Sequence, residues 1–164
     1  MKKLLLLLSF FCSCNFLYCA DPDGVLGVWL IESKEAKVEL YKNDNGQLEG
    51  RLVWLKDMYD ENGNPRTDLK NDDENLRNRP LLGMTLAFGF EWNEEKQEWQ
   101  DGSVYVPGNG NTYCGSIKLK EDGTLYLRGY ICGLRFLGKT SYCTRTSLTD
   151  QELALLNTGA RTNN

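Results

Sequence analysis

Histidine is absent from all 164 residues of the chain. That absence excludes Ser-His-Asp and Cys-His nucleophilic machinery, histidine-ligated zinc or haem, and an imidazole pH switch. A basic stripe is also missing, and acids outnumber cations 23 to 19, which argues against nucleic acid as a partner. There is no glycine-rich phosphate loop, because the Gly108-Asn109-Gly110-Asn111 run follows no strand-to-helix pattern. Internal repeats and low-complexity tracts are lacking too. The longest apolar run, residues 4–11, falls far short of the ~20 residues a spanning helix needs. Paired carboxylates in an obvious acid/base setting are not visible. These gaps imply no cofactor or metal and favour a container or scaffold over an enzyme.

What is present begins with an export signal. Lys2 and Lys3 precede the apolar run, which only Ser9 interrupts, and Ala20 offers a small residue for cleavage before Asp21. Residues 1–20 are therefore expected to be a leader, and residues 21–164 a single domain. The expected location is beyond the inner membrane, periplasmic or secreted. Cys12, Cys14 and Cys19 leave a membrane-anchored lipoprotein as the alternative, with weak motifs: Phe11 stands at −3 to Cys14, and Tyr18 precedes Cys19. Without the leader the domain carries 17 cations and 23 acids, a net charge of −6. It also keeps three cysteines, Cys114, Cys132 and Cys143, an odd number for an oxidising compartment.

Strand signals dominate the domain. Apolar and polar residues alternate in Val38-Glu39-Leu40-Tyr41, and Leu48, Gly50, Leu52 and Trp54 share one face of the next run. Tyr113, Gly115, Ile117 and Leu119 share another, as do Leu125, Leu127, Gly129 and Ile131. Asn43-Asp44-Asn45-Gly46, Asn93-Glu94-Glu95-Lys96, Pro107-Gly108-Asn109-Gly110 and Glu121-Asp122-Gly123 supply the turns. About eight strands result, near residues 26–32, 37–43, 47–55, 83–91, 98–105, 111–120, 124–132 and 136–146. That number closes a single antiparallel up-and-down β-barrel, an all-β fold able to fill itself or hold one small ligand. A β-sandwich is the structural alternative. Residues 57–80 form one long loop without periodicity, and the capping box Thr149-Asp150-Gln151-Glu152 opens a short C-terminal helix ending near Gly159.

Closure of such a barrel makes the first and last strands neighbours, so Trp29 and Arg145 are expected to stack as a structural pair. This pairing, with Gly27-Val28-Trp29 on the first strand, is similar to the lipocalin and wider calycin pattern. A broader resemblance follows from Ala36-Lys37-Val38-Glu39-Leu40-Tyr41, Gly50-Arg51-Leu52-Val53-Trp54-Leu55-Lys56, Asp68-Leu69-Lys70-Asn71 and Leu76-Arg77-Asn78-Arg79-Pro80-Leu81-Leu82-Gly83. It continues through Gly102-Ser103-Val104-Tyr105-Val106-Pro107, Thr112-Tyr113, Leu125-Tyr126-Leu127-Arg128-Gly129-Tyr130 and Thr144-Arg145. In these the chain resembles a family of secreted bacterial proteins catalogued as domain of unknown function 2147. The resemblance implies a lipocalin-like barrel in the bacterial envelope and no established activity. Two departures stand out: Val106 where the family has Asp, and Cys143 where it has Trp.

Candidate sites follow. Trp54, Phe88, Tyr113 and Leu127 are expected to wall a binding site for a small, lipid-like apolar or amphipathic molecule. Arg77 and Arg79, two residues apart, are candidates for its polar head at the barrel mouth; their structural alternative is to pin the acidic loop by ion pairs with Asp68 or Asp72. The carboxylates of that loop do not match calcium-loop spacing and read as solvated. A non-catalytic envelope module binding another protein is the alternative function. Cys114 and Cys132 are diagonal neighbours in the hairpin register, ~7–8 Å apart, so a disulfide needs a small bulge. Three separate packed thiols are the alternative, and Cys143 has no evident partner. Gly50, Gly115 and Gly129 on inward faces mark bends or added internal space.

Overall fold

The computed structural model describes residues 20–160, so the leader read at residues 1–20, with Cys12, Cys14 and Cys19, lies outside the described residues except for Ala20. Period-two alternation produces eight strands. They are β1 (Gly27–Leu30), β2 (Ala36–Lys42), β3 (Leu48–Leu55), β4 (Thr85–Asn93), β5 (Glu98–Val106), β6 (Asn111–Leu119), β7 (Leu125–Ile131) and β8 (Leu134–Thr146). Each pairs antiparallel with the next, and β1 pairs with β8 through Val28↔Thr146, Trp29↔Arg145 and Leu30↔Thr144, closing an up-and-down barrel. The sandwich alternative is therefore not the fold. Gly123, at a positive φ of 80°, turns the chain between β6 and β7 and sets Leu119↔Leu125 and Cys114↔Tyr130, the register its loop length demands.

The odd strands all run toward one end of the barrel, the mouth, and the even strands return to the other. A 3-10 turn, Pro22–Val25, closes that second end. Val25 is buried in the core there, and its carbonyl accepts the Trp29 indole N–H at 2.8 Å. Trp99 donates its indole N–H to the Pro22 carbonyl at 3.0 Å. The Arg145 guanidinium lies 4.3 Å from the Trp29 ring centroid and donates to the Leu26 carbonyl at 2.8 Å and to the Gly24 carbonyl. Arg145 thus joins the last strand, the first strand and the plug in one contact.

A buried hydrophobic cluster lies just above this plug. Leu40, Leu48, Phe90, Ile117, Leu125 and Cys143 are buried together with Trp29 and Trp99. Glycines make room for the Phe90 ring: a Cβ on Gly102 would lie 2.3 Å from it and one on Gly115 2.9 Å. Cys143 sits in this cluster as a small buried hydrophobe.

The helix α1 (Asp150–Ala160) starts on a reciprocal capping box. Thr149 N–H donates to Glu152 Oε2 at 2.7 Å, and Glu152 N–H donates to Thr149 Oγ1 at 3.3 Å. The helix packs on the outer face near β3, tied by the Lys37–Glu152 ion pair at 2.7 Å.

Candidate functional site

Burial differs between positions inside the barrel. Phe90, Ile117, Leu125 and Cys143 are sealed, whereas Val38, Val104, Tyr113, Leu127 and Ser141, also inward by register, are only half-buried, although Leu52 and Ala87, the register partners of Val38 and Val104, are buried. Ile117↔Leu127 and Leu127↔Ser141 set one inward row, and Gly115↔Gly129 and Gly129↔Lys139 set the next toward the mouth. A Cβ on Gly129 would meet only the Tyr113 Cβ, at 3.8 Å, so that inner wall is open where Gly102 and Gly115 are filled. Lys139 stands exposed at the rim of the same row. The interior is thus sealed around Phe90, and its less covered side, around Val104, Tyr113, Leu127 and Gly129 with Lys139 at the rim, is a candidate cup.

The long loop lies at the mouth and is latched by one buried carboxylate. Asp68 is fully buried; its Oδ1 accepts from the Tyr105 hydroxyl at 2.6 Å, and its Oδ2 accepts from Asn71 Nδ2 at 2.7 Å and Arg79 Nη2 at 2.9 Å. Burial alone pushes its carboxyl pKa up, but the three donors and the guanidinium charge outweigh it and hold the group below its ordinary value. The same arrangement, burial first, then the hydrogen bond to Asp68 and its charge, pushes the Tyr105 phenol up to about 12. Gly110 allows the loop to come close, since a Cβ there would sit 2.0 Å from the Lys70 carbonyl oxygen. Lys70 Nζ also donates to the Gly108 carbonyl at 2.6 Å.

The structure divides the expected site residues. Tyr113 and Leu127 face the cup. Trp54 pairs with Lys37 on the outer face, under α1, with the Lys37 ammonium 5.3 Å from its ring centroid. Phe88 pairs with Ser103 on the outer face and is 40% exposed. Both reversals have one cause: a bulge beside each residue, at Val53 and at Gly89, flips the alternation that placed them inside. Arg77 and Arg79 do not form a free pair at the mouth. Arg77 ends a 3-10 turn (Glu74–Leu76), bonding Glu74 and the Asn71 carbonyl, and Arg79 is committed to Asp68. Cys114 and Cys132 are joined, their Cα atoms 5.1 Å apart, and Cys143 is a free buried thiol whose pKa burial pushes up. Among the described residues no cluster of three or more His, Cys, Asp or Glu side chains is placed to hold a metal.

Sequence reasoning missed Lys139, Val104 and Ser141, which alternation from Leu127 and Tyr113 across the register would have found. It also missed an arch on β8. Tyr130 pairs with Gly138 but Ile131 with Leu134, so Arg135, Phe136 and Leu137 have no partner on β7. They fold over the outer face: Arg128 Nη2 donates to the Arg135 carbonyl at 3.0 Å, and the Arg135 guanidinium covers the Tyr130 ring at 5.5 Å while pairing with Glu98 at 2.7 Å.

A hollow of about 320 Å³ lies at the plugged end, lined by residues that include Lys42, Gln47, Glu91 and Trp92. The Trp92 indole N–H is buried without a hydrogen-bond partner, and Trp99 behind it is 2% exposed.

Comparison with known proteins gives two results. The family described as "Uncharacterized protein conserved in bacteria (DUF2147)" matches residues 27–145. Among solved structures, a protein from Helicobacter pylori, HP1028, described as belonging to the lipocalin family, superposes with a TM-score of 0.64 at 19% identity, covering 85% of this chain and 97% of that one. At that identity the likeness is one of fold. No curated protein matches by sequence.

Proposed function

We propose, for a chain that belongs to the DUF2147 family of uncharacterized bacterial proteins and carries a lipocalin-like barrel, that it binds a small apolar or amphipathic molecule in the mouth half of the barrel. The observation that carries this reading is the change in burial along the interior, sealed around Phe90 and half-buried around Val104, Tyr113 and Leu127. Apolar walls with a few polar groups are what small-molecule sites offer. Tyr113 and Ser141 supply hydroxyls, and Lys139 at the rim suits a carboxylate or phosphate head. Arg77 and Arg79 take no part; they hold the loop. The reading is non-catalytic: no histidine is available as a base, and the free thiol is kept protonated by burial. It includes export of the chain by the leader read at residues 1–20.

Native mass spectrometry of protein recovered from an exporting host tests this. A lipid-sized adduct on the wild type, lost in Gly129→Leu, is expected, because leucine there projects into the cup without a backbone clash. No adduct across several delipidation conditions overturns the reading. The same spectra report cleavage of the leader and any lipid on Cys14 or Cys19. A second reading, an envelope module that binds protein, is favoured by a different observation, the exposed apolar side chains at the mouth end.

A further inference from the structure

The two strands that close the barrel differ greatly in length. β1 has four residues and β8 has 13, and they pair only through Val28↔Thr146, Trp29↔Arg145 and Leu30↔Thr144. After Leu30 the chain turns away into β2, with the Ile31 N–H on the Ala36 carbonyl and the Lys34 N–H on the Ile31 carbonyl. From Leu134 to Cys143, β8 therefore has β7 on one side and no strand on the other. Every residue from Leu134 to Lys139 is exposed, whichever way it points. The wall thus has a vacant lane beside β8, where a longer β1 would run.

The register fixes which main-chain groups face this lane. Residues 138–142 pair with β7 without irregularity, from Tyr130↔Gly138 to Tyr126↔Tyr142. The Tyr142 N–H points away from β7, because it reaches the Glu32 carboxylate just past the end of β1, at 3.4 Å. Alternation along the strand then turns the N–H and C=O of Thr140 and Gly138 to the same side. Among the described residues these groups have no hydrogen-bond partner there. A row of unpaired main-chain groups is a template for a further strand.

Such edges are commonly blunted by bulges and by inward-pointing charge. β8 has both, and they define what the lane accepts. The arch carries Arg135, Phe136 and Leu137 over the outer face, so the usable edge is residues 138–142. Residues 123–149 hold four cations and no acid. Arg145 is engaged with Trp29 and the plug, Arg135 with Glu98, and Arg128 with Thr140 and the Arg135 carbonyl. Lys139, inward by its register with Gly129 and exposed, pairs with no carboxylate among the described residues. A second copy of the chain would bring another Lys139 to the same short edge, like charge beside like charge.

We propose that this lane is a docking site for an extended polypeptide segment of a partner, which adds to β8 antiparallel as the continuation of β1 and turns an acidic side chain toward Lys139. Main-chain bonds to Gly138 and Thr140 hold the segment, and Lys139 selects it by charge. The proposal rests on the protein-binding reading and is independent of the small-molecule one.

Two labelled, capped peptides of alternating valine and threonine, about seven residues long, test it by fluorescence anisotropy on the full chain recovered from an exporting host. One has aspartate at its centre, the other lysine. The aspartate peptide is expected to bind about threefold or more tighter than the lysine peptide, and Lys139→Glu, at an exposed site, to reverse that order. Thr140→Pro removes an N–H that faces away from β7 and is expected to weaken binding about fivefold or more relative to Thr140→Val. Both variants lose the hydroxyl that Arg128 bonds, so their difference reads the N–H. Should Thr140→Pro not fold, hydrogen exchange decides: the aspartate peptide must slow the Gly138 and Thr140 amides of the wild type. No binding of either peptide, equal binding by the proline and valine variants, or a charge order indifferent to Lys139→Glu overturns the proposal. So does a wild type that sediments as a dimer while Thr140→Pro is monomeric, which assigns the edge to a second copy. A partner protein held equally by wild type and Thr140→Pro would leave the protein-binding reading standing while this inference fails.

Discussion

Two glycines on one inner surface illustrate how little the residue type says without its neighbours. Gly102 is occupied by the Phe90 ring, and Gly129 is not. Gly102→Ala must displace that ring within a sealed core and is expected to cost ~1–3 kcal/mol by overpacking. The urea midpoint should fall at unchanged slope. Gly129→Ala has space, and should be neutral or gain up to about 1 kcal/mol by restricting the unfolded chain. Equal effects at the two positions would mean that the cup is not open. The Asp68 latch gives a second prediction, with a defined sign. Its carboxyl titrates below the ordinary value of 3.8 in the folded protein, so its contribution is present above that value and is lost as the pH falls through the folded pKa. Tyr105 acts in reverse: raised from 10.0 to about 12, it contributes fully below pH 10 and loses that contribution as the pH climbs to about 12. Asp68→Ala leaves the Tyr105, Asn71 and Arg79 donors without their acceptor, at a cost of ~1–3 kcal/mol. Hydrogen exchange should rise in residues 57–80 while β6 and β7 stay protected; a uniform rise would mean that the loop and barrel unfold together.

Among elements, strands that keep strict alternation were legible and those that break it were not. β6 and β7 follow from Ile117, Leu119, Leu125 and Leu127, and the three-residue turn fixes their register to the residue. Trp54 and Phe88 were misplaced because one bulged residue beside each reverses every assignment counted across it, and nothing in the composition near Val53 announces the bulge. Gly89, at a φ of 73°, was the available signal for the other. The β8 arch was illegible for a different reason: its side chains are exposed whichever way they point, so no periodicity is imposed on them. What holds that element is the Cys114–Cys132 bond, across 18 residues, together with Arg135. Reduction is expected to cost about 3 kcal/mol on the loop-entropy scale and to speed exchange in residues 131–138. Denaturant unfolding with and without reductant measures the first quantity. Cys143 should not confuse it, because a buried thiol with a raised pKa reacts with aromatic disulfides only after unfolding.

For the whole molecule the averaged charge concealed what matters. A net charge of −4 describes a mildly acidic protein, whereas the chain is an acidic body with one cationic hairpin. Barrel closure, by contrast, was legible, because it rests on two residues of unmistakable type, Trp29 and Arg145. It also involves the shortest strand: β1 has four residues and meets β8 through three paired positions, whereas β6 and β7 share six. Arg145 is the side chain that binds this seam to the plug. Arg145→Ala removes the contact over the Trp29 ring and the donors to the Leu26 and Gly24 carbonyls, leaving those two acceptors unanswered at the barrel floor. With a partly exposed guanidinium, the expected loss is about 2 kcal/mol. Its location is the sharper test. Exchange should accelerate first in β1 and in the half of β8 near residues 143–146, ahead of β4 to β7, because opening the seam leaves the other seven pairings intact. Lysine at that position keeps the charge but not the planar stacking, and should restore part of the protection. If β1 and β8 exchange no sooner than the rest in Arg145→Ala, the seam is held by its backbone pairing, and the stacked pair is a consequence of closure, not its fastening.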